Sequence, residues 1–128
     1  MNDIQNLTSI KLLVDDFYSK VRNDGLLGPV FADVIKDDWQ PHLDKMYAFW
    51  NTVLFGVAGF KGNPFAKHAP LIINADHFNR WLELFTQTVD THFAGPMADD
   101  AKNRAGLMAV MFQSKLANMK GGPGRVIV

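Results

Sequence analysis

Apolar residues recur every three or four positions along most of the chain, which is the period of an α-helix. In the first such segment they run from Ile10 to Val21 on a single helical face. No segment alternates apolar and polar residues in the manner of a half-buried strand, and no internal repeat is visible. The pattern therefore predicts an all-α domain with four substantial helices and two short ones.

Capping residues and helix breakers indicate where the first helices begin and end. Thr8 or Ser9 is expected to cap the first helix, and the run from Asn23 to Gly25 is expected to end it. The apolar stretch 30–35, which follows a Gly-Pro pair, predicts one or two helical turns.

The same signals mark the three remaining long helices. Asp37 or Asp38 is expected to cap the second long helix, which Gly56 closes. The third long helix follows Asn74 as its cap. The last helix is expected to begin near Ala98, where acidic residues suit the positive end of the helix dipole.

The stretch between the second and third long helices lacks any helical period. It comprises 17 residues, 57–73, and is interrupted by glycine and proline. A short helix carrying Phe65 and His68 is expected to begin at the Asn63-Pro64 pair. A connection of this length in a compact domain is more often functional than idle.

Composition restricts the class of protein further. The chain has 128 residues, which fits one domain, and 13 basic residues balance 13 acidic ones, so neither nucleic acid nor an anionic membrane is an expected partner. Cysteine is absent, which fits a reducing compartment. No apolar run approaches the roughly 20 residues of a membrane span, and the N-terminal segment is acidic, unlike a secretory signal. We therefore expect a soluble cytoplasmic domain.

Large apolar side chains are more numerous than so small a core needs, with 10 Phe, 3 Trp and 6 Met. His42 lies on the apolar face of the second long helix and His68 in the irregular stretch, and each taken alone is more readily a core or a loop histidine. Together, without cysteine or carboxylate ligands nearby, they make a poor zinc site, because zinc needs several protein ligands. Iron in a porphyrin needs a single imidazole, so the pair favours a flat, apolar haem.

Two further polar groups lie on inward faces. Tyr18 on the first helix and Trp81 on the third long helix each bring a donor that needs a partner when it is buried. Each alone is most simply bonded to a core carbonyl, but with His42 they predict a small pocket for a polar diatomic ligand. His77 and His92, near the two ends of the third long helix, are more typical of structural or surface histidines.

Five segments in order make the chain resemble a known family. They are DFYSKVRND, LLGPVF, DWQPHLDKMYAFW, FKGNPFAKHAPL and HFNRWLELF. The chain resembles the truncated haemoglobins, and most closely their group III branch, over most of the span 7–120. The resemblance implies a truncated globin domain over residues 1–120, a two-over-two helical sandwich enclosing haem b (iron protoporphyrin IX). The glycine-rich residues 121–128 are expected to form a flexible tail.

The resemblance also implies roles for individual residues. His68 resembles the proximal iron ligand, and Tyr18, His42 and Trp81 resemble the residues of the distal ligand pocket. The haem contacts that it implies are Phe31, Met46, Phe49, Trp50, Phe78 and Phe85.

Contacts to the haem propionates follow less directly from the resemblance. Lys67 and His77 are candidates for these contacts, and solvated surface charge is an equally good interpretation of both. Phe60 stands where many relatives have tyrosine, so that anchor is missing here. The branch also lacks the glycine pairs that give other branches a ligand tunnel, and none is visible here.

The implied function is reversible, high-affinity binding of oxygen, and of nitric oxide or carbon monoxide, at haem iron. An alternative is a haem enzyme that acts on peroxide or detoxifies nitric oxide with bound oxygen, with His42 as acid–base residue and an unidentified reductase as partner. A third hypothesis is a cofactor-free helical protein that binds a partner through aromatic grooves.

Overall fold

A computed structural model describes residues 1–60 and 74–120, with side chains up to residue 115. Within these ranges the chain forms helices and no strands, so the predicted all-α class is confirmed. The helices are α1 (Leu7–Asn23), α2 (Leu27–Ile35), α3 (Trp39–Phe55), α4 (Ala75–His92) and α5 (Pro96–Lys120). The short helix predicted to carry Phe65 and His68 lies outside the described residues.

Two helix pairs form the body of the domain. α1 packs against α3 and α4 packs against α5, and a further contact between α1 and α4 joins the pairs, while α2 packs on α1. The inward face of α1 is fully buried, and its members are Ile10, Leu13, Val14, Phe17, Tyr18 and Val21. Each such large apolar side chain contributes about 1.5–3 kcal/mol by leaving water. None of the helices in the described ranges has the length and apolar character to cross a bilayer.

The cap of α1 lies two residues before the predicted position. The Asn6 side chain, on an extended backbone with φ −165°, accepts a hydrogen bond from the Ser9 N–H at 3.1 Å. Ser9 lies inside the first turn, where its hydroxyl accepts from the Gln5 N–H at 3.2 Å. The prediction of Thr8 or Ser9 as cap was therefore wrong, because Ser9 supports the helix start from within. The predicted end is confirmed at Asn23.

α2 is longer than the one or two turns expected from its apolar stretch. It begins at Leu27, whose N–H donates to the Asp24 carboxylate at 2.9 Å. Gly28 lies against the end of α1, where a Cβ atom would approach the Arg22 carbonyl oxygen to 2.8 Å. The helix thus starts ahead of the Gly-Pro pair, because the Asp24 carboxylate accepts from the N–H groups of Leu26 and Leu27 and Gly28 permits close packing on α1.

α3 begins and ends as predicted, and α4 begins as predicted. Asp38 occupies the N-cap position of α3, and Gly56 ends that helix with a left-handed φ of 68°. The Asn74 side chain accepts from the Asp76 N–H at 2.9 Å, and the Asn74 N–H donates to His77 Nδ1 at 3.1 Å. This reciprocal pair is a capping box, which explains the sharp start of α4.

α5 begins at Pro96, two residues before the predicted start. The Asp3 carboxylate accepts hydrogen bonds from the N–H groups of Met97 at 2.9 Å and Ala98 at 2.7 Å. At Gly95 a Cβ atom would meet the Asp3 side chain at 2.6 Å. The start of α5 was mispredicted because its cap comes from the other end of the chain, which local pattern does not reveal.

Candidate functional site

Tyr18 of α1 and His42 of α3 are in direct contact. Their ring centroids lie 4.8 Å apart with an interplanar angle of 86°, an edge-to-face arrangement. Tyr18 is 6 % exposed, and His42 is half-buried. Two of the three residues predicted for the ligand pocket are therefore brought together by the packing of α1 on α3.

The Tyr18 phenol is a protonated hydrogen-bond donor. Burial raises the pKa of the Tyr18 hydroxyl well above its ordinary value, because the phenolate would lose its hydration. The Phe31 ring of α2 lies 6.2 Å from the Tyr18 ring, so a predicted haem-contact residue borders the same side chain. Because its pKa is raised, the Tyr18 phenol keeps its O–H over the whole physiological pH range.

Trp39 also belongs to this cluster. The sequence predicted it on the inward face of α3, one turn from His42, but not as a pocket residue. Its ring centroid lies 6.0 Å from that of His42 and 6.2 Å from that of Tyr18. Trp39 is 8 % exposed and stands one helical turn before His42 on the same face of α3. The three-residue spacing to His42 was the available signal, because residues three apart on a helix share a face.

Trp81 lies on α4 and reaches the cluster through Phe17. The Phe17 ring contacts both the Tyr18 ring at 4.8 Å and the Trp81 ring at 5.7 Å. The Trp81 indole stacks on Phe85 at 5.7 Å and 11°, and Phe85 stacks on Trp50 at 4.9 Å and 17°. The orientation of the Trp81 ring is therefore fixed by Phe85, which stacks on it, and by Phe17, which meets it edge-to-face at 87°, each such pair contributing about 0.5–1.5 kcal/mol beyond its buried area.

The remaining predicted haem contacts form apolar surface around these polar groups. Phe49 lies 5.3 Å from Trp50 and 5.2 Å from Phe60, measured between ring centroids. Phe78 belongs to a second apolar cluster, against which Trp81 also packs. Met46 is half-buried at the edge of the main core.

The described residues fit a flat apolar cofactor. The inward face of α3 is only half-buried at His42, Met46 and Phe49, whereas the inward face of α1 is fully buried. Large apolar groups left partly uncovered beside neutral polar donors are the surface that a porphyrin face requires. His42 and Met46 would border such a group from α3, and Trp81 would border it from α4.

The outcomes for Lys67 and the other three histidines differ. His68 and Lys67, the predicted iron ligand and a propionate candidate, lie outside the described residues. His77 holds the capping box of α4 through its Nδ1 atom, a structural role that needs no cofactor. His92, expected to be structural, bonds to Asp16 of α1 at 2.7 Å, which ties the end of α4 to α1.

A helical sandwich with a buried phenol, an imidazole and aromatic walls at its centre is the architecture of a globin. The sequence matches the family described as Bacterial-like globin over residues 3–117, and the chain belongs to that family.

The relatives identify the branch. The chain is 33 % identical over 120 residues to the Group 3 truncated hemoglobin ctb of Campylobacter jejuni, which covers 91 % of this chain and 94 % of that protein. It is also similar to the crystal structure of the group III truncated hemoglobin from Campylobacter jejuni, with a TM-score of 0.83, 33 % identity, and coverage of 91 % of this chain and 95 % of the other. The resemblance to group III truncated haemoglobins and the truncated globin fold are thus confirmed. Membership of this family implies a haem cofactor and a diatomic gas as ligand.

Proposed function

We propose that the protein binds haem b and uses it to bind oxygen reversibly and with high affinity. The observation that carries this proposal is the contact of the buried Tyr18 phenol with His42, 4.8 Å between ring centroids, beside a half-buried apolar face. Carbon monoxide and nitric oxide are ligands of the same class and size.

In this proposal His68 supplies the protein ligand to iron, on the strength of the resemblance. Bound haem would supply an iron centre that can bind a diatomic gas. Phe31, Met46 and Phe49 contact the porphyrin, and together with Trp50, Phe78 and Phe85 they form the walls that exclude water. Lys67 is proposed as a partner of a propionate group.

The polar side chains of the pocket then decide how long a gas molecule stays. Tyr18 O–H and Trp81 N–H donate hydrogen bonds to the gas molecule, and neither has to change protonation state to do so. A neutral donor contributes about 1 kcal/mol net, and more towards a charged acceptor. Because roughly 1.4 kcal/mol corresponds to a factor of ten, removal of one donor is expected to speed dissociation about 5- to 30-fold.

The chain offers a matched pair of variants to test this. Tyr18→Phe removes the buried phenol, whereas Tyr47→Phe removes a phenol of α3 that bonds to Asp15 of α1. We expect faster oxygen dissociation from haem-loaded Tyr18→Phe in stopped-flow measurements and an unchanged rate for Tyr47→Phe. Equal rates in the two variants would show that Tyr18 does not hold the gas.

Haem binding itself is tested by titration of the full chain. We expect a strong Soret band on mixing with haem, and its loss or a large shift in His68→Ala. If His68→Ala takes up haem with unchanged visible bands, the proposed ligand is wrong.

A second candidate function is a haem enzyme acting on peroxide or on nitric oxide. The observation that favours it is the contact of His42 with a protonated phenol, because an imidazole beside a donor can hold or pass a proton. Turnover of either substrate is measured for wild type and His42→Leu, and oxygen dissociation is measured in the same proteins. Turnover by wild type and not by His42→Leu would support catalysis over oxygen storage. The cytoplasmic location and the unidentified reductase stay predictions.

A further inference from the structure

A cavity of about 440 Å³ between α1 and α3 opens to solvent. Ser19 and Arg22 of α1 line it on one side, and Leu43 and Tyr47 of α3 line it on the other. The cavity is large enough for a diatomic gas and several water molecules. We refer to it as the α1/α3 cavity.

The inner wall of the α1/α3 cavity is shared with the distal cluster. Tyr18 and Trp39 both line the cavity, and both contact the His42 ring, at 4.8 Å and 6.0 Å between centroids. Tyr18 and Trp39 thus lie between the solvent in the cavity and the His42 ring. A movement of the Trp39 ring would therefore open the cavity towards the His42 ring.

Trp39 is held in place by an exposed cation. The Arg22 guanidinium lies 4.7 Å above the Trp39 ring, and the Arg22 side chain is exposed at the mouth of the cavity. Cation–π contacts at exposed sites are weak and break readily. Arg22 thus restrains the Trp39 ring only weakly, and we use the term latch for this restraint.

We propose that the α1/α3 cavity is the access route by which a diatomic gas reaches the distal pocket, with Trp39 as its gate and Arg22 as the latch. This inference rests on the proposed gas-binding function. It supplies a path from solvent to the side chains of the proposed ligand pocket. A path past His42 from the other side of α3 is the competing outcome of the test.

The first experiment fills the cavity. Ser19 is exposed and lines the cavity, so Ser19→Phe places a ring there without touching the core, and Gln87→Phe places the same ring at an exposed position of α4 outside it. Carbon monoxide association with the haem-loaded proteins is followed after flash photolysis. We expect the bimolecular rate to fall about fivefold or more in Ser19→Phe and to stay at the wild-type value in Gln87→Phe.

A second readout separates access from bond formation at iron. With zinc protoporphyrin in place of haem, dissolved oxygen quenches the porphyrin triplet state by collision and forms no bond to the metal. We expect quenching in Ser19→Phe to slow in parallel with carbon monoxide association. If association slows and quenching does not, the substitution acts on bond formation and the proposed route is overturned.

A third experiment releases the latch. Arg22→Gln removes the cation over Trp39, and Lys11→Gln removes the cation that lies 5.6 Å from the Tyr47 ring centroid on the same pair of helices. We expect association to rise about two- to threefold in Arg22→Gln only, since a weak contact of this kind restrains the ring modestly. If the rates for the cavity and latch variants both stay within experimental error of wild type, the gas takes another path. Absence of a Soret band in wild type would instead refute the gas-binding function itself, so the two failures are distinct.

Discussion

Asp24 is the side chain whose removal tests most directly how the fold positions the site. Its carboxylate accepts hydrogen bonds from the N–H groups of Leu26 and Leu27, at 3.1 and 2.9 Å, and pairs with Arg80 at 2.7 Å. The Asp24 side chain is 7 % exposed, so these partners replace most of its hydration. It therefore joins α1, α2 and α4, which carry Tyr18, Phe31 and Trp81 respectively.

We expect Asp24→Ala to lower the free energy of unfolding by about 2–4 kcal/mol, because an N-cap costs roughly 0.5–2 kcal/mol and hydrogen bonds to a desolvated charged group about 1.5–3 kcal/mol. Arg80→Gln, which breaks only the ion pair, is expected to cost much less, since the Arg80 side chain is 39 % exposed. Urea unfolding followed by circular dichroism measures both. Equal losses in the two variants would show that the ion pair, and not the helix cap, holds this junction.

The pH dependence of the same variant gives an independent check. Desolvation by itself raises the pKa of Asp24. A larger, opposite effect comes from the N–H groups of Leu27 and Leu26 and from the Arg80 guanidinium, which stabilise the carboxylate. The folded-state pKa therefore lies below the ordinary value. The stabilisation is therefore complete above the unfolded pKa of about 3.9 and is lost as pH falls through the folded value. The difference in stability between wild type and Asp24→Ala is expected to be constant near neutrality and to shrink in acid. A difference that grows in acid would refute the assignment.

Three further changes test other parts of the fold. Gly28→Ala brings a Cβ atom within 2.8 Å of the Arg22 carbonyl oxygen and is expected to lower the urea midpoint, because that neighbour is backbone. Asp3→Ala removes two acceptors from the start of α5 and is expected to cost about 1–2 kcal/mol of unfolding free energy in the same assay. Phe85→Leu removes the ring between two stacked indoles and is expected to speed oxygen dissociation by loosening Trp81; an unchanged rate would mean that stacking does not orient the donor.

The helices could be predicted from the sequence because the spacing of apolar residues is a property of each segment alone. All six inward positions of α1 are buried, because a 3.6-residue period places them on one face whatever that face packs against. The start of α5 was mispredicted for the opposite reason. Its acceptor is Asp3, which lies 94 residues before Met97 along the chain, so no window of neighbouring residues contains the pair.

The candidate site likewise has residues that the sequence identifies and contacts that only the tertiary packing determines. Tyr18 and His42 were identified separately as polar groups on apolar faces, but their contact depends on the packing of α1 on α3. The stacking of Trp81 on Phe85 likewise depends on tertiary contacts, since Phe85 is held in turn by Trp50 of α3. Trp39 was missed because a buried tryptophan on a helix face is most simply a core residue, and only its contact with His42 distinguishes it.

Tyr18 serves the core and the pocket at once, and the two roles place opposite demands on its surroundings. The core requires the ring to be buried among Phe17, Phe31 and Trp39, whereas a donor towards a gas requires the hydroxyl to face open space. The edge-to-face contact with His42 reconciles them, because it leaves the imidazole as a polar neighbour on an otherwise apolar ring. A phenol that packs through its ring and keeps its proton through burial is oriented before any ligand arrives, so hydrogen bonding to the gas carries little cost in conformational entropy.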